Sequence, residues 1–343
     1  MRIATQVDYA GDVLATAEQV ATWEDAGVDL VLVPEAYGQD AISLLGYLAA
    51  RTSRVELGPG ILPIYSRTPA LIAQTAVGLD VISHGRAVLG LGASGPQVVE
   101  GWHGVPYDRP LARTREIIEI CRTVWRREAL EHHGIYEIPC RGPGTTGLGK
   151  PLKLITHPPR SRIPIYLAAL GDRNVALAAE LAEGWLPFLF SPERAGEVWG
   201  SALREGLARR ASDLGPLDIV AGGILAIGKD REGLRDLARP IVALYVGGMG
   251  AKGRNFYHDV MVRYGFGDLA DAIQERYLAG DREGAAALVP EELLRELTLV
   301  GDVAWVRDRV DAWRAAGVTT LLVTPVGPEP LASLRTLAEL VHP

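Results

Sequence analysis

Cysteine, clustered histidine and basic charge are all scarce in this sequence, and each shortage closes off a class of function. The two cysteines, Cys121 and Cys140, are too few for a disulfide framework and lack metal-ligand spacing. Cys121 falls among helix-patterned residues and reads as a small apolar side chain. Seven histidines (His84, His103, His132, His133, His157, His258 and His342) form neither an H-x-H at the first strand nor an H-E-x-x-H. The adjacent pair His132 and His133 points two ways and reads as a solvated loop, so no metal is expected. No apolar run reaches the roughly 20 residues that span a bilayer. The opening MRIATQVDYAGD turns polar too early for a signal peptide, which makes a reducing cytoplasm the expected compartment. A net charge of −7 argues against a nucleic-acid partner and leaves a small molecule as the expected one. Nothing resembles a linker, so residues 1–343 are expected to form one domain.

What is present is a regular alternation. Short β-branched runs alternate with longer segments of helical periodicity, the pattern of a parallel sheet with crossover helices. Strands are expected at 2–7, 28–33, 55–62, 87–91, 164–168, 184–188, 219–227 and 318–323. Helical spacing appears at 12–26, 70–82, 112–127, 174–182 and 195–210, then in a stripe of Val303, Val306, Val310 and Trp313. That stripe is either core or a face for pairing with a second copy. AGVDLVLVPE at 26–35 and AGVTTLLVTP at 316–325 repeat one helix–Gly–strand unit at both ends of the chain. Eight βα units favour a closed (β/α)₈ TIM barrel over an open doubly wound sheet. Two segments exceed the repeat: 128–162 before the fifth strand, and 246–300, read as extra helices between the seventh and eighth. Such insertions usually build a barrel's mouth.

Barrel enzymes place their chemistry at the C-terminal ends of the strands. The third and fourth strands end in GPGILP and GLGASG, richer in glycine than turns need, as if backbone approached a planar or phosphate-bearing ligand. The fifth ends at Ala169, Leu170 and Gly171 and runs into a helix whose N–H groups favour an anion. GLGASG matches a dinucleotide fingerprint by letter, but Pro96 and the loop-like GWHGVPYDRP follow it, where that fold needs a helix. Glu35, at the end of the buried second strand, is the candidate acid/base; a structural ion pair or a helix cap is the competing assignment. His103, Tyr107 and His157 are weaker candidates on loops expected near the same mouth.

The run GPGILPIYSRTPALIAQTAVGLDVISHGRAVLGLGASGPQVVEGWHG at 58–104 resembles the luciferase-like superfamily. It is most similar to the branch that uses the deazaflavin coenzyme F420, and the stretches 149–187 and 245–257 extend the likeness over nearly the whole chain. The resemblance implies a bulge at Gly60, Ile61 and Leu62, with a cis peptide at Gly60-Ile61, backing the deazaflavin ring. It implies that Ser94, Gly95, Gln97 and Val98 hold the cofactor tail, and that Ala169, Leu170 and Gly171 form a phosphate loop. The implied activity is hydride transfer between F420 and a small organic substrate, with a C=C or C=N bond as the expected acceptor. FMN-dependent oxygenation and cofactor binding without catalysis are the alternatives, and a homodimer is the implied assembly. Two positions depart from the pattern. Ala36 stands where relatives that oxidise sugar phosphates carry a histidine, and Asp172 puts a carboxylate beside the phosphate glycine, where it is expected to turn away or cap a helix beginning at Asn174.

Overall fold

The computed structural model describes residues 1–8 and 11–342. Its strands are β1 (Arg2–Gln6), β2 (Leu30–Val33), β3 (Glu56–Pro59), β4 (Leu62–Pro63), β5 (Leu89–Gly92), β6 (Ile165–Ala168), β7 (Gly184–Leu186), β8 (Asp218–Ala221), β9 (Ile224–Ile227), β10 (Leu299–Gly301) and β11 (Thr320–Pro325). The pairing is parallel and runs β3-β2-β1-β11-β8-β7-β6-β5-β4. A bridge between Leu57 and Ala87 joins β3 to the β5 side, so the sheet nearly closes into the expected barrel. The last strand lies beside the first, with Ile3 opposite Leu321, as the repeated terminal units imply.

The helices are α1 (Val13–Asp25), α2 (Ala41–Arg51), α3 (Pro69–Ile82), α4 (Pro96–Gly101), α5 (Pro110–Trp125), α6 (Asp172–Leu181), α7 (Ala195–Ala208), α8 (Arg239–Ala243), α9 (Phe256–Arg263), α10 (Gly267–Leu278), α11 (Arg282–Ala287), α12 (Glu291–Leu297), α13 (Val303–Ala315) and α14 (Pro330–Val341). Local chemistry sets several of their starts. Asp12, Asp40, Thr68 and Asp302 each accept a hydrogen bond from an N–H in the first turn they cap. The barrel helices bury their apolar faces against the outside of the sheet, where Trp125, Trp185, Trp199 and Trp313 are all enclosed. Trp313 is therefore core and offers no pairing face.

Inside the barrel a second apolar cluster holds Ala4, Leu30, Leu32, Val88, Tyr166, Leu186 and Val220. Below it, polar side chains cross-link the N-terminal strand ends. Arg2 pairs with Glu56, the Tyr166 hydroxyl donates to Asp218 Oδ2 at 2.7 Å, and Thr320 Oγ1 donates to Asp218 Oδ1 at 2.8 Å. Burial, reinforced by the Asp218 charge, pushes the Tyr166 phenol far above its ordinary pKa, so it stays a donor. This plug fills the bottom of the barrel and leaves the C-terminal mouth for chemistry.

Three expectations need correction. The seventh strand breaks at Gly222-Gly223 into β8 and β9, where only glycine fits: a side chain on Gly222 would lie 2.1 Å from Leu322 O and one on Gly223 1.9 Å from Leu297 O. β9 pairs with β11 on one side and with β10 on the other, so the second insertion holds a strand as well as helices. α6 begins at Asp172, ahead of the expected Asn174.

Candidate active site at the mouth of the barrel

The third barrel position is built from β3 and β4 with the residues between them bulged, and the peptide Gly60-Ile61 is cis. Gly60 N–H donates to Val33 O at 2.8 Å, which ties the bulge to β2. The Ile61 side chain turns into the barrel and lies over the glycines of β5: a Cβ on Gly92 would meet Ile61 Cδ1 at 2.9 Å. One on Gly90 would meet Pro59 O at 1.9 Å, and one on Gly58 would meet Val88 O at 2.5 Å. The glycines within these strands thus let strand approach strand around the bulge. Leu62, which the resemblance places in the bulge behind the ring, is fully buried and packs in the outer core.

Beyond β5 the glycines change character. Among the described residues, Gly95 has no atom from elsewhere in the chain within 4 Å of where a Cβ would stand, and neither does Gly171 beyond β6. Ser94 holds a left-handed backbone at φ 57° and turns the chain over the mouth, with Val98 half-buried and Gln97 exposed. β5 and β6 are paired, Gly92 opposite Ala168, so the two loops are neighbours. The second is pinned from behind. Trp185 Nε1 donates to Ala169 O at 2.9 Å and Trp199 Nε1 to Leu170 O at 2.7 Å, while the two indoles meet edge to face at 5.4 Å. These bonds turn the carbonyls away, and no side chain caps the first turn of α6. Its N–H groups are thereby left available to an anion. Asp172 does turn away: its Oδ1 accepts from Arg263 Nη2 at 2.6 Å, on α9 of the second insertion.

Glu35 is the sequence's acid/base candidate, and the geometry gives it other work. Arg67 Nη1 donates to Glu35 Oε1 at 2.5 Å and Nη2 to Oε2 at 2.9 Å, while Ala41 N–H donates to Oε2 at 2.9 Å. The two side chains are only 8% and 15% exposed. The hydrogen bond to Glu35 also holds the Arg67 pKa above its ordinary value. Arg67, on the loop after β4, engages both oxygens, and the start of α2 shares Oε2, so the competing assignment of ion pair and cap describes Glu35.

Among the lesser candidates, His103 is half-buried after α4 and its Nε2 finds no protein partner. Tyr107 packs its ring 5.4 Å from that of Tyr65, and burial raises its pKa. His157 is not brought to the mouth. Its Nδ1 meets Arg127, just past the C-terminus of α5, and crossover helices run back to the opposite end of a barrel. His132 and Glu116 pair at 3.1 Å along α5, and no group of three or more metal-ligating side chains forms among the described residues.

Sequence reasoning missed Arg67 and two aromatic groups, whose partners are distant in the chain. Phe188, beyond β7, meets Tyr245 at 4.1 Å and Tyr257 at 5.7 Å, both supplied by the segment between β9 and β10. Tyr245 stands on a single π-helical turn, Leu244–Gly248, a distortion frequent at functional sites. Tyr37, after β2, meets Trp102, after α4, at 6.4 Å.

Residues 1–320 match the luciferase-like monooxygenase family. The chain belongs to this family. A Mycobacterium tuberculosis protein with the provisional name coenzyme F420-dependent oxidoreductase is 44% identical to it over 347 aligned positions, covering 99% of each chain. The 5,10-methylenetetrahydromethanopterin reductase of Archaeoglobus fulgidus is 31% identical, covering 93% of this chain and 92% of its own. Among solved structures, the coenzyme F420-dependent tetrahydromethanopterin reductase of Methanopyrus kandleri superposes with a TM-score of 0.82 at 25% identity, covering 99% of this chain and 98% of its own. The mouth of the barrel brings three features together at neighbouring strand ends. It offers an apolar surface at Ile61, a side-chain-free approach at Gly95 and Gly171, and an uncapped α6 turned toward the same space.

Proposed function

We propose that the chain is a coenzyme F420-dependent oxidoreductase that passes a hydride between the deazaflavin and a small organic substrate, with a C=C or C=N bond as the reacting group. The observation carrying this reading is the pairing, within one mouth, of the Ile61 bulge with the open, uncapped first turn of α6. One offers an apolar backing for a flat ring, the other a seat for a phosphate, with β5 lying between the two strand ends. The names of the relatives support F420 as the cofactor.

In this reading Gly60 and Ile61 support the ring, and Ala169, Leu170 and Gly171 present the backbone that takes the phosphate. Ser94, Gly95, Gln97 and Val98 run along the cofactor tail. Bound there, the deazaflavin supplies a hydride-donating carbon where a flavin has N5. The chain's own contribution is to hold the ring rigidly and keep water from the face on which hydride moves. Phe188, Tyr245 and Tyr257 are placed to exclude that water. Glu35 is assigned to positioning: it braces Arg67 and α2, and the proton of the reaction comes from solvent or from the substrate itself.

Titrating the purified protein with F420 and separately with FMN, followed by fluorescence, tests the assignment. Micromolar binding of F420 with much weaker binding of FMN is the expected result. Preference for FMN would overturn it and direct the search to oxygenation, and binding of neither would remove the cofactor assignment altogether.

A further inference from the structure

The aromatic pair at the mouth is unusual in its exposure. Tyr37 is 60% exposed and Trp102 64%, although their ring centroids are 6.4 Å apart and inclined at 53°. Large rings contribute most when covered, and two exposed ones side by side mark a surface that something else covers.

Neither ring hangs on slack chain. Glu35 accepts from Ala41 N–H and so closes the loop that carries Tyr37, and Asp40 within that loop caps α2. Trp102 N–H donates to Val98 O at 2.9 Å, as does the N–H of His103 at 3.2 Å, fixing the turn after α4. The position of the pair follows from the sheet order. β3 and β4 lie between β2 and β5, so a contact between the loop after β2 and the turn after α4 passes across the bulge at Gly60-Ile61. The rings therefore stand above the place assigned to the cofactor ring, on the solvent side.

We infer that Tyr37 and Trp102 form the outer wall of the substrate site and select a flat, conjugated ring system over a saturated one. This rests on the reading of the mouth as the hydride-transfer site. Two aromatic faces reward a planar guest through stacking and offer a puckered, saturated ring of similar size only ordinary apolar contact.

The test is equilibrium dialysis of the protein, with and without F420, against 2-acetylnaphthalene and its saturated counterpart 2-acetyldecalin. These probes share a carbonyl group and a ten-carbon bicyclic ring and differ in its flatness. The naphthyl ketone should bind more tightly to the wild type. Trp102→Ala should weaken it about tenfold, at the upper end of what one aromatic contact contributes, and Trp102→Phe should restore most of the loss. The decalin ketone should lose much less in Trp102→Ala, and F420 itself should bind the variants as it binds the wild type. Equal binding of the two ketones, or naphthyl binding indifferent to Trp102→Ala, would overturn the inference. If F420 fails to bind while naphthyl binding still depends on Trp102, the wall stands and the cofactor reading falls.

Discussion

At the scale of single residues, Glu35 shows how a functional signature and a structural one can share a residue. A carboxylate at the end of a buried strand is costly unless it has a partner or a task, and Arg67 supplies the partner. Its removal is therefore predicted to act on stability first. Glu35→Leu leaves the guanidinium of Arg67 uncompensated and should cost about 3 kcal/mol in urea unfolding. Adding Arg67→Met should recover part of that, while the bond to Ala41 N–H stays lost. A residue acting only as acid or base would lower turnover and leave unfolding unchanged. The glycines give a second contrast. Gly90→Ala puts a methyl 1.9 Å from Pro59 O and should prevent the bulge from forming, seen as insoluble or molten protein. Gly171→Ala meets no protein atom and suits its φ of −74°, so the fold should hold within about 1 kcal/mol. F420 binding should nevertheless weaken about tenfold, or ~1.4 kcal/mol, if backbone approaches phosphate there.

At the scale of elements, the first insertion depends on one carboxylate. Glu116 on α5 accepts from Ile135 N–H and Tyr136 N–H, each at 3.0 Å, and pairs with His132. Burial alone would raise its pKa, but these donors outweigh burial and hold it below the ordinary 4.5. A carboxylate depressed in the folded state contributes stability that is complete above its unfolded pKa and is lost as pH falls through the folded value. The insertion should stay docked at neutral pH and loosen from α5 progressively as pH falls below the ordinary carboxylate value. Hydrogen exchange at the amides of Ile135 and Tyr136, compared between pH 7 and pH 3.5 after correction for intrinsic rates, reads this directly. Glu116→Gln should bring the same loosening at pH 7. Unchanged protection in that variant would assign the docking to Tyr136 and its stacked Arg113 instead.

At the scale of the whole molecule, periodicity carried most of the architecture. A parallel strand buried on both faces reads as an apolar run, and VDLVLV at 28–33 holds β2 just as VTTLLV at 318–323 holds β11. Periodicity does not reveal where a strand is forced off line by a backbone atom from far along the chain, which is why the Gly222-Gly223 break and β10 were not foreseen. The site divides in the same way. Ala169 to Gly171 and Ser94 to Val98 lie together at two paired strand ends, where local sequence placed them, whereas Arg67, Trp102 and Tyr245 matter through partners that no local pattern names. One consequence concerns the two ends of the barrel. The plug of Arg2, Glu56, Tyr166 and Asp218 is complete without a ligand, but the mouth has an uncapped helix and exposed rings. A ligand that binds only the folded state adds RT ln(1 + [L]/Kd), so F420 at one hundred times its Kd should stabilise the protein by about 2.7 kcal/mol. The gain should be local. Amides at 94–98 and 171–175 should exchange more slowly with F420 bound, and those of β1 and β8 at the plugged end should change no more than global stability requires. Protection concentrated at the plug would place the cofactor at the wrong end of the barrel and overturn the mouth as the site.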